Sequence, residues 1–150
     1  MPPTMKMLVW TTCVLAAATI SIGCNPSQKS FDVRVHNDAS TPVTLWLSKS
    51  GPPAEAGWLS PEQLAADPQH AKYDLAIVPP GKTGSSKMSG TFPEGTNAVL
   101  RVYRGEKELF YILQDAKAGM EQRTDYVLKP GTNNLSVIDQ GGKLVVQPAK

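Results

Sequence analysis

From Phe31 to the C-terminus, apolar and polar residues alternate in short runs, and most runs end in a cluster of proline, glycine, asparagine or aspartate. A period of two sends successive side chains to opposite faces of an extended chain, so such runs bury one face in a sheet. Phe31-Asp32-Val33-Arg34-Val35-His36 is the clearest case, closed by Asn37-Asp38-Ala39-Ser40. Residues 42–48 place Val43, Leu45 and Leu47 on one face, with Thr44 and Trp46 on the other. Residues 73–78 form a third run, stopped by Pro79-Pro80-Gly81, and residues 85–92 a weaker fourth with Met88 and Phe92 as its apolar points. Residues 97–103 and 108–113 flank Arg104-Gly105-Glu106-Lys107, the strongest hairpin signal in the chain. Residues 125–128, 135–138 and 144–146 follow, separated by Pro130-Gly131-Thr132-Asn133 and Asp139-Gln140-Gly141-Gly142.

About eight short strands with a turn roughly every ten residues predict an all-β domain over residues 31–150, a small immunoglobulin-like or transthyretin-like β-sandwich. Helices do not alternate with the strands, which disfavours a parallel α/β sheet. One short helix is expected inside a long loop. Ser60 caps it, Pro61 lies in its first turn and Gln63 closes a capping box, so it should stop near Asp67-Pro68. A further helical turn over residues 115–122 has weaker support. The stretch from Lys49 to Lys72 is long for a connection between strands. It is expected to cross over one end of the sandwich, with Trp58 and Leu64 plugging the core.

The first 23 residues form a separate object, an N-terminal signal segment. Lys6 supplies one positive charge, residues 7–23 carry none, and small residues gather toward Gly23. A basic start, an apolar stretch and a small-residue exit are the parts of a secretory signal. The apolar stretch is at the short limit for spanning about 30 Å of hydrocarbon, and it contains Thr11, Thr12, Thr19 and Ser21. Removal leaves a chain long enough to bury its own core without disulfide or metal.

The exit Ser21-Ile22-Gly23-Cys24 resembles the lipobox of bacterial lipoproteins. That resemblance implies cleavage after Gly23 by signal peptidase II and lipid on Cys24, whose new amine is open to acylation. It departs from the family at Ser21, where leucine is usual. Cysteine counting agrees: Cys13 lies in the leader, so the mature chain keeps Cys24 alone, and a lone exported cysteine is paired between chains, reactive or modified. Residues 24–30 then read as a lipidated tether, polar and broken at Pro26. In this family an aspartate after the cysteine marks retention in the inner membrane. Asn25 stands there instead, which favours the outer membrane, facing the periplasm or the cell surface.

Motifs that would carry catalysis are absent from the sequence: it has no G-x-S-x-G, S-x-x-K, C-x-x-C or H-E-x-x-H. Gly81-Lys82-Thr83-Gly84 does not open a helix, so it is no phosphate loop. The net charge of +2 offers no footprint for nucleic acid. His36, His70, Met88 and Met120 are the residues from which a metal carrier would be built, but none has defined ligand spacing. The expectation is therefore a noncatalytic envelope module without cofactor or metal. Its partners would be the membrane, through lipid at Cys24, and an envelope protein or glycan. The alternative is a periplasmic metal carrier or a hydrolase with a site assembled from dispersed residues. The candidate contact surface is aromatic: Trp46, Trp58, Tyr103 and Phe110. The competing expectation for Trp46 and Phe110 is that the long loop folds over them.

Overall fold

The computed structural model describes residues 27–67 and 75–150. The elements in chain order are β1 (Gln28–Asn37), β2 (Val43–Ser50), α1 (Pro61–Ala66), β3 (Leu75–Val78), β4 (Thr83–Thr91), β5 (Asn97–Arg104), α2 (Leu109–Ala118), β6 (Arg123–Val127), β7 (Gly131–Gln140) and β8 (Lys143–Pro148). They build a β-sandwich of two four-stranded sheets, in the orders β4-β1-β7-β8 and β3-β2-β5-β6. All neighbours are antiparallel except β1 and β7, which pair in parallel from Phe31–Gly131 to Asn37–Val137.

The alternation in β1 and β2 aims Phe31, Val33 and Val35 at Val43, Leu45 and Leu47, and β5 and β7 add Leu100, Val102, Leu135 and Val137. At one end of this core the rings of Phe31, Trp58 and Phe92 meet edge to face, with centroids 4.8, 5.0 and 5.5 Å apart. At the other end Asn37 is fully buried. Its side-chain amide donates to the carbonyls of Thr41 and Val78, and its Oδ1 accepts from the N–H of Ala39, which fixes the β1–β2 turn.

The sheet containing β2 carries a second apolar layer on its outer face, formed by Trp46, Tyr103, Leu59, Leu64 and Ile112. The two helices supply its cover. α1 has the expected start: Ser60 Oγ accepts from the N–H of Gln63, and Gln63 Oε1 accepts from the N–H of Ser60. α2 overturns the hairpin expected between residues 97–103 and 108–113, and the domain has two short helices rather than one. Leu109, Ile112, Leu113 and Ala116 recur at helical spacing and turn toward the sheet. Gly119 ends the helix at φ 67° with its N–H on the carbonyls of Ala116 and Asp115. The run Leu109-Phe110-Tyr111-Ile112-Leu113 is apolar throughout, so residues 108–113 by themselves do not separate a strand from a helix.

Several strands also reach further than their alternation shows, β1 and β7 with the most consequence. β1 opens at Gln28, so residues 28–30 are ladder and not tether. β7 opens at Gly131, inside the cluster taken for a turn.

Candidate functional site

Of the four aromatic residues expected at a contact surface, three are interior. Trp46 points outward from its sheet yet is 0% exposed, because α1, α2 and Leu59 cover it, and its indole N–H donates to Leu59 O at 3.0 Å. Trp58 belongs to the ring cluster between the sheets and donates to Ser89 O at 3.0 Å. Tyr103 is buried under the helices, and its hydroxyl donates to Glu121 Oε1 at 2.9 Å. Burial pushes the Tyr103 phenol above its ordinary range, against the opposing pull of Arg101. The competing expectation holds in part: Leu59 and α1 of the long segment, together with α2, cover Trp46 and Tyr103, whereas Trp58, itself in that segment, is buried between the sheets. Trp58 plugs the core as expected, but Leu64 lies in the outer layer instead.

Phe110 alone remains exposed, at 67%, on the side of α2 turned away from the sheet. Beside it stands Tyr111, 53% exposed, with ring centroids 5.5 Å apart. Sequence reasoning missed Tyr111 because a strand from 108 to 113 would have put it on the face opposite Phe110. Reading residues 109–118 as a helix brings the two rings to one outer side.

Next to the buried Tyr103 lies a charged cluster. Arg101 Nη1 donates to both oxygens of Glu62, at 2.8 and 2.9 Å. Arg123 pairs with Glu121 and, through Nε at 2.9 Å, with Asp125. Burial raises the Glu62 pKa, but the Arg101 and Ser60 contacts outweigh it and bring the carboxyl down to about 2. The cluster pins the N-terminus of α1 and the segment after α2 onto β5 and β6. Its opposite charges are spent on one another.

A second pair is more deeply placed. Lys49, with a side chain 2% exposed, reaches Glu55 at 2.5 Å and Thr91 O at 2.8 Å, and stands 4.6 Å above the Phe92 ring. Glu55 also accepts from Thr91 N at 2.9 Å. Burial raises the Glu55 pKa, and these two contacts reverse it, holding the carboxyl below its usual value. Lys49, Glu55 and Trp58 therefore occupy backbone groups of β4 that face away from β1.

The residues a hydrolase or metal carrier would need are placed as follows. Ser136 Oγ donates to Asp38, and the same carboxylate lies 3.3 Å from His36 Nε2, while His36 Nδ1 meets Thr83 Oγ1 at 2.9 Å. The carboxylate thus stands between hydroxyl and imidazole. A nucleophilic serine needs the imidazole in that central place. Met88 is five positions along β4 from Thr83, the partner of His36, which is about 17 Å of strand. Met120 follows α2 on the opposite face of the sandwich. Among the described residues no three His, Cys, Asp or Glu side chains converge as a metal site. His70, Gly23 and Cys24 lie outside the described residues.

These features define a small β-sandwich with a two-helix cover on one sheet. No family model matches the chain, and no curated protein matches it in sequence. Among solved structures it is similar to the T6SS lipoprotein TssJ1 from Pseudomonas aeruginosa, at 16% identity and a TM-score of 0.35, over 81% of this chain and 98% of that one.

Proposed function

We propose that the chain is an envelope lipoprotein, exported, cut after Gly23, held by lipid on Cys24, and working by contact rather than catalysis. The observation that carries this reading is a spacing. The apolar leader closes at Gly23-Cys24, and the first strand opens at Gln28, four residues beyond the cysteine. Leader and fold therefore abut, with room between them for an anchor and little else. Two or three acyl chains on one residue give durable attachment where one would be marginal. Asn25 after the cysteine directs the product to the outer membrane.

The contact role is supported by how polar groups are used. The Arg101–Glu62 and Lys49–Glu55 pairs and the Ser136–Asp38 bond serve the fold. Among the exposed large apolar residues of the described chain, which also include Ile77, Met120 and Val127, the adjoining rings of Phe110 and Tyr111 are the aromatic pair offered to an envelope protein or a glycan. Mass spectrometry of the N-terminal peptide from membranes tests the anchor. A diacylglyceryl-modified Cys24 is expected, and Cys24→Ala should accumulate as uncleaved precursor. An unmodified N-terminus elsewhere in the chain refutes the reading.

A further inference from the structure

We infer that one end of the sandwich, made by residues 51–54, 93–95 and 129–131, rests on the headgroup layer of the bilayer that holds the anchor. This deepens the reading of Cys24 as the lipidated residue and rests on it.

The first described residue, Ser27, marks that end. Its carbonyl accepts from Phe92 N at 2.6 Å, and Gln28 pairs with Thr91. The 51–54 loop is tied to the same place, since Thr96 Oγ1 donates to Pro52 O at 2.5 Å. The 129–131 turn enters β7 opposite Phe31 and is held by Asn133, which bonds the carbonyls of Lys129 and Gly131. Three connections thus surround the point where the chain arrives from its anchor.

Reach decides how far this end can stand from lipid. From Cys24 to Ser27 is three residues, at most about 10 Å fully extended. The headgroup zone of one leaflet is itself about 6 Å deep. With the cysteine's acyl groups in hydrocarbon, Ser27 lies at or just above the headgroups, and the loops around it have nowhere else to be.

The composition of the two ends fits this orientation. Within residues 51–54, 93–95 and 129–131 the charged side chains are Glu94 and Lys129, and Lys29 and the Lys49-paired Glu55 flank them, two of each sign, while Pro52, Pro53, Ala54 and Pro130 are exposed. The opposite end carries Asp38, Lys82, Arg104, Glu106, Lys107 and Asp139. The end near the tether is the one with few charges to desolvate. Because its charges balance, its contact with lipid should persist at high salt.

The test uses the full-length protein in its own membranes and in vesicles of phosphatidylethanolamine and phosphatidylglycerol. Single-cysteine variants Ala54→Cys and Glu94→Cys report on the tether end, and Lys82→Cys and Lys107→Cys on the far end. Each is labelled with bimane and quenched by a lipid carrying a headgroup nitroxide. Quenching at Ala54 and Glu94 several-fold above that at Lys82 and Lys107, unchanged in high salt, is expected. Inserting twelve Gly and Ser residues between Pro26 and Ser27 should bring Ala54 down to the far-end level. Equal quenching at both ends, or no effect of the insertion, overturns the inference. Mass spectrometry of the same samples separates the failures. Lipid on Cys24 with equal quenching removes this orientation alone, whereas absence of lipid removes the anchor and the orientation together.

Discussion

Trp46→Ala tests the helical cover most directly. The indole is fully buried between β2 and the helices, and its N–H donates to Leu59 O. A buried tryptophan removes about 200 Å² from water, worth about 5 kcal/mol at about 25 cal/mol per Å². Large-to-small changes of this kind cost about 3–5 kcal/mol in practice. The orphaned Leu59 carbonyl adds about 1 kcal/mol or more. We expect a loss of about 5 kcal/mol, within reach of the whole stability of a domain this size. The melting temperature should fall by about 15–20 °C, if a folded state survives at all. Trp46→Phe keeps most of the ring area and loses the hydrogen bond, so it should cost about 2 kcal/mol. Urea and thermal melts of the chain from residue 24 onward read both variants. A fall of less than about 5 °C for Trp46→Ala would show that α1 and α2 do not seal this face, and Trp46 would return as an exposed contact residue.

Three further outcomes follow from the side chains described. Glu62 has a folded pKa of about 2 against 4.5 for the free group, so its contribution is complete above about pH 4.5 and is lost as pH falls toward 2. The shift corresponds to about 3 kcal/mol at most, reduced to about 1 kcal/mol by solvent screening of a side chain 41% exposed; acid melts of Glu62→Gln, lacking this dependence, check it. Lys49→Met leaves Glu55 with the Thr91 N–H alone and the Thr91 carbonyl without its Lys49 donor, and should cost about 2–4 kcal/mol, with Lys49→Met/Glu55→Gln recovering part of it in urea titrations. Phe110→Ser should change stability by less than about 0.5 kcal/mol while weakening capture of envelope partners, and a large drop in melting temperature would place Phe110 in the core instead.

What the sequence disclosed depended on how local each signal was. β1, β2 and the capping box of α1 announce themselves within a few residues, through alternation and through Ser60, Pro61 and Gln63. α2 announced only its end, where Ala116, Lys117 and Gly119 fall within the weakly supported turn at 115–122, while the apolar run at its start read as strand. The parallel pairing of β1 with β7 joins residues about a hundred positions apart and has no local signature. The aromatic site failed for a related reason. Whether Trp46 faces water or a helix depends on Leu59, Leu64 and Ile112, which arrive from two other segments. Phe110 stood out by its size, and Tyr111 became its companion only once the segment was helical.

The central position of β1 also has a mechanical consequence. If Cys24 carries the proposed lipid, a pull on it would enter the domain at Ser27 and run along the strand axis. β1 is gripped on one side by β4, from Gln28–Thr91 to His36–Thr83, and on the other by β7, from Phe31–Gly131 to Asn37–Val137. Ladder hydrogen bonds run across the strands, so tension along β1 loads both ladders in shear, and many bonds must yield together. An edge strand gripped on one side, or a hairpin pulled from its open end, would peel bond by bond. The strand next to the proposed anchor is thus clamped from both sides, so a load entering there would meet two ladders rather than one.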